Sequence, residues 1–216
     1  MSHIEYIHSE CQKMIRDLQI YLNIKGHKSV EKHCGQFLDQ MVDLIMLTTV
    51  WPNKPHLKIL EIGFNAGHSA MAFLMNPTAL VTSIDVGAHS YALDAKAFID
   101  NHAPKKHTLI IGDSRQVLPN YIRDHPDDKF DIIFIDGGHD YEISRSDLDN
   151  CLKMCHSGTI IIMDDVVPLS MGPLYEWTVG PSRAWWEALS IKRVEQINKS
   201  HYGPGRGMVW GKKISP

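Results

Sequence analysis

Two acidic clusters carry the most usable chemistry in this chain. Asp136-Gly137-Gly138-His139-Asp140-Tyr141 follows the apolar run Phe130–Ile135, and Asp164-Asp165 follows Gly158–Met163. If the fold makes those two run ends neighbours, three carboxylates share one crevice, repel one another and hold their protons more tightly. A divalent cation removes the conflict, because Mg²⁺ (or Mn²⁺) takes hard oxygen ligands and keeps positions for water and substrate. Asp136, Asp164 and Asp165 are therefore the candidate metal ligands. The competing role is a polar crevice in which one of them caps a turn. A near-neutral imidazole at His139 is suited to taking a proton from a hydroxyl, and its competing role is packing in a turn.

A second set of residues lies earlier. Glu61-Ile62-Gly63-Phe64-Asn65-Ala66-Gly67-His68-Ser69 ends one apolar run and opens a helix. Gly63 and Gly67 let backbone approach a ligand, and the helix start favours an anionic group. A dinucleotide fingerprint would have glycine where Asn65 stands. That disfavours a pyrophosphate cradle, and with it an NAD-dependent oxidoreductase, and favours a ligand with a single carboxylate. Asp85, closing the run Leu80–Asp85, suits a ribose diol. Asp113 and Ser114, after Leu109–Gly112, either hold an adenine amino group or cap the next helix.

The elements that must position these groups follow from the pattern. Five short apolar runs each stop at an acidic residue, and they alternate with helical segments. Such runs, buried on both faces, belong to a parallel sheet with helices on either side. Ligands of these sheets bind outside the carboxyl ends of the strands, where the acids stand. The expected crossover helices are Gly67–Met75, Tyr91–Asn101, Ser114–Arg123 and Tyr141–Cys155. Before them, Ile4, Ile7, Cys11, Met14, Leu18 and Tyr21 form one helical face, and Ser29 is the expected cap of a second helix reaching Thr48. After them, Pro168, Gly172, Pro173, Gly180 and Pro181 suggest loop. A helix near Arg183–Leu189 follows, then strands at about Ile191–Ser200 and Gly207–Lys212, joined by a turn short enough to force an antiparallel pair.

Composition narrows the classes. At 216 residues and 44% hydrophobic, the chain fits one compact α/β domain. A formal charge of -3 argues against a nonspecific nucleic-acid binder. No apolar stretch approaches the ~20 residues needed to cross a bilayer, so no membrane role is expected. The start, Met1-Ser2-His3-Ile4-Glu5, lacks a signal-peptide pattern. Four cysteines do not make a disulfide framework, and Cys151 and Cys155 read as buried thiols rather than half a zinc site. The expected location is cytoplasmic. A homo-oligomer remains compatible with all of this.

The stretch Leu60–Ser69, with Ile84-Asp85, Gly112-Asp113-Ser114, Phe130–Tyr141 and Gly158–Asp165, resembles the class I S-adenosylmethionine-dependent methyltransferases. It is most similar to the metal-dependent small-molecule O-methyltransferases of catechol and macrolide-sugar type. The resemblance covers about Ser29 to Asp165. It implies a Rossmann-like, doubly wound sheet of seven strands, mostly parallel with an antiparallel last strand, behind an N-terminal helical extension. It implies S-adenosylmethionine held by Glu61, Gly63, Asn65, Gly67, Ser69, Asp85, Asp113, Ser114 and Asp136. Ser69 would meet the carboxylate of the methionine part, and the segment around Ser29, Val30 and Gly35 would close over the cofactor. Asp136, Asp164 and Asp165 match the family's metal ligands and His139 its base position. A catechol-type enzyme would show asparagine at Asp165 and lysine at His139, so this pair looks more like the sugar O-methyltransferases.

The chain is thus expected to be a single domain over residues 1–216: a helical extension or lid to about residue 55, a cofactor core over 56–166, and a specificity segment with a final hairpin over 167–216. The expected activity is methyl transfer from S-adenosylmethionine to a hydroxyl of a small molecule, a sugar or glycosylated metabolite by preference, with Mg²⁺ activating the hydroxyl. Trp177, Trp185, Trp186, Tyr202 and Trp210 are candidates for stacking on it. The alternatives are a metal-independent methyltransferase for an amine and a noncatalytic cofactor-binding protein.

Overall fold

β-branched strands and short connections produce the expected alternation. The computed structural model describes residues 3–30, 37–51, 54–168 and 175–214. Two helices, α1 (His3–Ile24) and α2 (Leu38–Thr48), precede β1 (Leu57–Ile62), α3 (His68–Leu74), β2 (Ala79–Asp85), α4 (Ala92–His102), β3 (His107–Ile111), α5 (Ser114–Asp124), β4 (Phe130–Ile135), α6 (Tyr141–Cys151) and β5 (Cys155–Asp164). α7 (Glu176–Ser190) and the hairpin β6 (Val194–Gly203) and β7 (Arg206–Lys213) complete the chain. The seven strands form one sheet in the order β3-β2-β1-β4-β5-β7-β6. β1 to β5 pair in parallel and β7 runs antiparallel to both of its neighbours. The order reverses between β1 and β4, which opens the crevice at that switch point.

Alternation along the central strands splits the core. Ile132 and Phe134 face α1 to α4 with Ile59, Phe73, Ala95 and Ile162. Ile133 and Ile135 face the other side, with Leu60, Leu118, Leu148, Ile161 and Trp185. Cys151 and Cys155 are buried thiols on that second face, and burial raises both pKa values. No helix among the described residues is long and apolar enough to cross a membrane.

Four expectations need correction. The residue preceding α2 is Phe37, and Ser29 is exposed outside any helix, so Ser29 does not cap α2. Gly35 lies outside the described residues. α6 stops at Cys151, passes through a short tight turn over Leu152–Met154, and hands over to a strand that starts at Cys155. α7 begins at Glu176 and runs through both Gly180 and Pro181. A Cβ on Gly180 would stand 2.1 Å from the His139 carbonyl oxygen, so this glycine permits contact with the β4–α6 loop rather than breaking the helix. Finally, the hairpin turn is Gly203-Pro204-Gly205-Arg206, and the strands take up the residues expected in a longer loop.

Candidate active site

The crevice above the switch point is a cavity of about 580 Å³. The β1–α3 loop forms one wall. Gly63 has φ +94, and a Cβ there would lie 1.9 Å from the Asp136 carbonyl oxygen, so glycine is required for the β1 and β4 loops to meet. Asn65 takes up a left-handed backbone at φ 51, which asparagine tolerates better than most residues, and its side chain accepts from the Tyr91 hydroxyl at 2.8 Å. Asp85 closes β2 and organises this loop. Its Oδ2 accepts the backbone N–H groups of Phe64 at 2.8 Å and Asn65 at 2.9 Å, and its Oδ1 accepts that of Gly87 at 2.7 Å. Those bonds leave lone pairs for a diol, because each carboxylate oxygen accepts more than one bond.

Gly63, Asn65, Asp85, Asp113, Ser114, Asp136, His139 and Asp165 all line the cavity. Glu61, Gly67 and Ser69 stand behind it. Ser69 and Ser83 both donate to the Glu61 carboxylate, and Ser83 also meets His107 Nε2 at 2.8 Å. Burial drives the Glu61 pKa up to about 7 against the lowering effect of those two hydroxyls. The same desolvation brings His107 down to about 4. Asp113 caps α5 through the Arg115 N–H at 2.9 Å and also pairs with the Arg115 guanidinium. The capping role is therefore realised, on the cavity wall.

The acidic cluster lies where β4 and β5 end. Asp136, His139 and Asp165 offer ligand atoms within 4.8 Å of one another. Asp165 sits in a left-handed backbone at φ 56, directly after β5. His139 Nε2 is 3.0 Å from Asp165 Oδ2, and this bond raises the imidazole pKa. Asp164 is buried beside the cluster but turned toward α2, where its Oδ2 accepts from Gln40 Nε2 at 2.7 Å. Its Oδ1 is buried and has no partner among the described residues. Burial and the neighbouring Asp165 push the Asp164 pKa to about 7, and Asp136 rises for the same reasons with Asp164 and Asp165 nearby. Acids in this condition suit a divalent cation, which would supply the missing positive charge and use the orphaned oxygen.

Two residues here escaped the sequence reading. Gln40, fully buried on α2, fixes one oxygen of Asp164. Arg206, at the start of β7, reaches Asp165 Oδ1 at 3.4 Å. Neither had a motif to announce it. Of the aromatic candidates, Trp177 lines the cavity, held by its Nε1 donating to the Gly205 carbonyl at 3.0 Å. Trp185 is fully buried, donates to Gln196 at 2.9 Å and is core. Tyr202 donates to Asp43 Oδ2 at 2.5 Å and ties β6 to α2.

A family model described as a methyltransferase domain matches residues 60–166, the span from β1 to the end of the acidic cluster. The chain belongs to the class I S-adenosylmethionine-dependent methyltransferases. This methyltransferase is 26% identical over 137 residues to the catechol O-methyltransferase of Sus scrofa, an alignment covering 62% of the chain and 71% of that protein. The alignment with the Bos taurus catechol O-methyltransferase, also 26% identical, covers 70% of the chain and 54% of the relative. Among solved structures, the O-methyltransferase TomG of Streptomyces achromogenes has TM-score 0.70 at 16% identity over all of both chains. An O-methyltransferase from Bacillus cereus, solved with SAH, has TM-score 0.69 at 19% identity over 97% of this chain and 100% of its own. At these identities the two structures establish the shared fold of the methyltransferase.

Proposed function

We propose that the methyltransferase moves a methyl group from S-adenosylmethionine to a hydroxyl of a small molecule, a sugar or glycosylated metabolite by preference, with a divalent cation at Asp136, Asp164 and Asp165. The observation that carries this reading is the grouping of Asp136, Asp164 and Asp165, whose burial and mutual charge raise the pKa values of Asp136 and Asp164, with a buried Asp164 oxygen lacking a partner among the described residues. A noncatalytic cofactor binder would have no use for it. When bound, the cofactor supplies an electrophilic methyl group, and the metal lowers the pKa of a hydroxyl beside it. The chain's own residues do the rest. Gly63 and Asn65 bring backbone against the methionine part, Asp85 takes the ribose diol, and Asp113 and Ser114 border the adenine end. Asp136, on the cavity wall and in the cluster, would border both the cofactor and the metal. His139 accepts the hydroxyl proton, and its bond to Asp165 orients the ring. Trp177 offers a flat face for the acceptor and helps exclude water.

One observation favours a second arrangement. The ligand atoms that already converge are those of Asp136, His139 and Asp165, with Asp164 held away by Gln40. In that arrangement His139 would be a metal ligand and another group the base. A single experiment separates the two. His139→Ala should lower kcat by ~10²–10⁴-fold with metal affinity nearly unchanged if His139 is the base. Loss of metal binding in the same variant would make it a ligand. Turnover unaffected by EDTA would refute the metal reading outright and favour the amine methyltransferase.

A further inference from the structure

We infer that Arg206 selects the acceptor by binding an oxyanion, a carboxylate or phosphate, carried close to the hydroxyl that is methylated. The inference deepens the O-methyltransferase reading and rests on it. Arg206 lines the same cavity as His139, Asp165 and Trp177, and its side chain is only 12% exposed. A guanidinium has five N–H donors in a fixed fork. Among the described residues its side-chain hydrogen bonding amounts to one long contact, 3.4 Å to Asp165 Oδ1, and its guanidinium carbon lies over the Phe37 ring, 5.2 Å from the centroid. The described residues thus leave most of the donors unspent at the wall of a site that must admit an acceptor.

The hairpin holds Arg206 there. The Gly205 carbonyl is gripped by Trp177, and a Cβ on Gly205 would strike the Tyr175 ring at 2.5 Å. On the other side, the Val166 N–H donates to the Gly207 carbonyl at 3.0 Å, and a Cβ on Gly207 would stand 2.3 Å from the Val166 carbonyl oxygen. Arg206 and Asp165 are therefore neighbours by backbone geometry, and a group bound by the guanidinium sits beside the reacting hydroxyl. Charge points the same way. Once a divalent cation and a sulfonium enter, the carboxylates are neutralised, and a fixed guanidinium among them attracts a further anion. A hydroxy acid, an acidic sugar or a sugar phosphate has the required chemistry. A neutral diol does not use Arg206.

The test is calorimetry of the methyltransferase loaded with S-adenosylhomocysteine and Mg²⁺, using matched probes. These are catechol and 2,3-dihydroxybenzoate, galactose and galacturonate, and galactose 1-phosphate, with inorganic phosphate as the bare anion. At least one anionic probe should bind about ten- to a hundredfold more tightly than its neutral partner, the usual worth of charge-assisted bonds. Tight carboxylates with weak phosphates, or the reverse, identify the source of the anion. Arg206→Gln should erase the difference and Arg206→Lys restore part of it, while both variants keep wild-type affinity for S-adenosylhomocysteine. Absence of any charge preference, a preference that survives Arg206→Gln, or no probe binding at all would overturn the inference. If Arg206 only neutralises Asp165, the substitution should affect neutral and anionic probes alike, and that too overturns it. Methylation of neutral acceptors alongside such a result would leave the O-methyltransferase reading standing. Failure to bind S-adenosylhomocysteine would instead remove that reading.

Discussion

Asp165 lies between His139 Nε2 at 3.0 Å and Arg206 Nη1 at 3.4 Å, so its charge is shared by two side chains. The carboxylate stabilises the imidazolium and holds the His139 pKa above the ordinary imidazole value. A cation bound at Asp165 takes that charge and adds repulsion, so the sign reverses. In EDTA, His139 should titrate above a free imidazole, and Mg²⁺ should move it downward, as followed by NMR of the ring protons. A titration that ignores Mg²⁺ would place the metal elsewhere. Asp85 acts through its acceptor oxygens. Its two oxygens take three backbone N–H groups and face the cavity. Asp85→Ala should weaken S-adenosylhomocysteine binding by about ten- to a hundredfold, through the lost diol contact and a slackened loop. Unchanged affinity in calorimetry would remove Asp85 from the cofactor site.

Two helices control the cluster without contributing to it chemically. α2 presents Gln40 to Asp164 and receives the Tyr202 hydroxyl on Asp43. α7 lies against the β4–α6 loop through Gly180, and its Arg183 stands 4.0 Å over the Tyr141 ring. Gly180→Ala should force α7 away from the His139 carbonyl. The expected cost is about 1–3 kcal/mol, typical of overpacking, read by urea unfolding, together with a fall in kcat from a displaced His139. Wild-type stability and turnover in this variant would mean that the α7 contact is slack. The same helix shows what the sequence conceals. β1, β2, β4 and β5 were legible because a largely buried apolar strand with an acid close to its end has a local signature, and β3, a sheet edge with Thr108 and Ile111 exposed, was legible from its β-branched run alone. Gly180 and Pro181 carry the local signature of a loop, yet both lie inside α7, where Gly180 packs against the β4–α6 loop. Gln40 and Arg206 were illegible for a related reason. Their partners Asp164 and Asp165 lie far away in sequence, and nothing periodic marks either residue. Asp136, Asp165 and His139 were readable because each closes or follows a strand.

At the scale of the whole molecule, the buried acids set how stability depends on pH. The folded pKa values of Glu61 and Asp164 are about 7 and that of Asp147 about 6, all raised by burial, with Asp136 also raised. A raised acid holds its proton in the folded state after the unfolded chain has released it. Its contribution is full below the unfolded pKa, near 4, and is lost as pH rises through the folded value, at about 1.4 kcal/mol for each pH unit separating the two. His139, raised from 6.5, acts in the same direction at higher pH. His107, lowered to about 4, acts oppositely, favouring the fold above pH 6.5 and losing that contribution as pH falls. The lowered acids Asp113, Asp124, Asp128 and Asp131 change only below about 4, outside the window. The balance therefore favours mild acid. In EDTA the Tm should fall as pH rises from about 5 to about 7.5. Mg²⁺ binds the deprotonated cluster, so it should stabilise more at the upper end, by about 1.4 kcal/mol at roughly ten times its Kd, and flatten the slope. Asp136→Asn with Asp164→Asn should show a shallower slope in EDTA and no response to Mg²⁺. An equal Mg²⁺ response in that double variant would dissociate the metal from the cluster, and a rising Tm in EDTA would mean that the His107 contribution outweighs the acids.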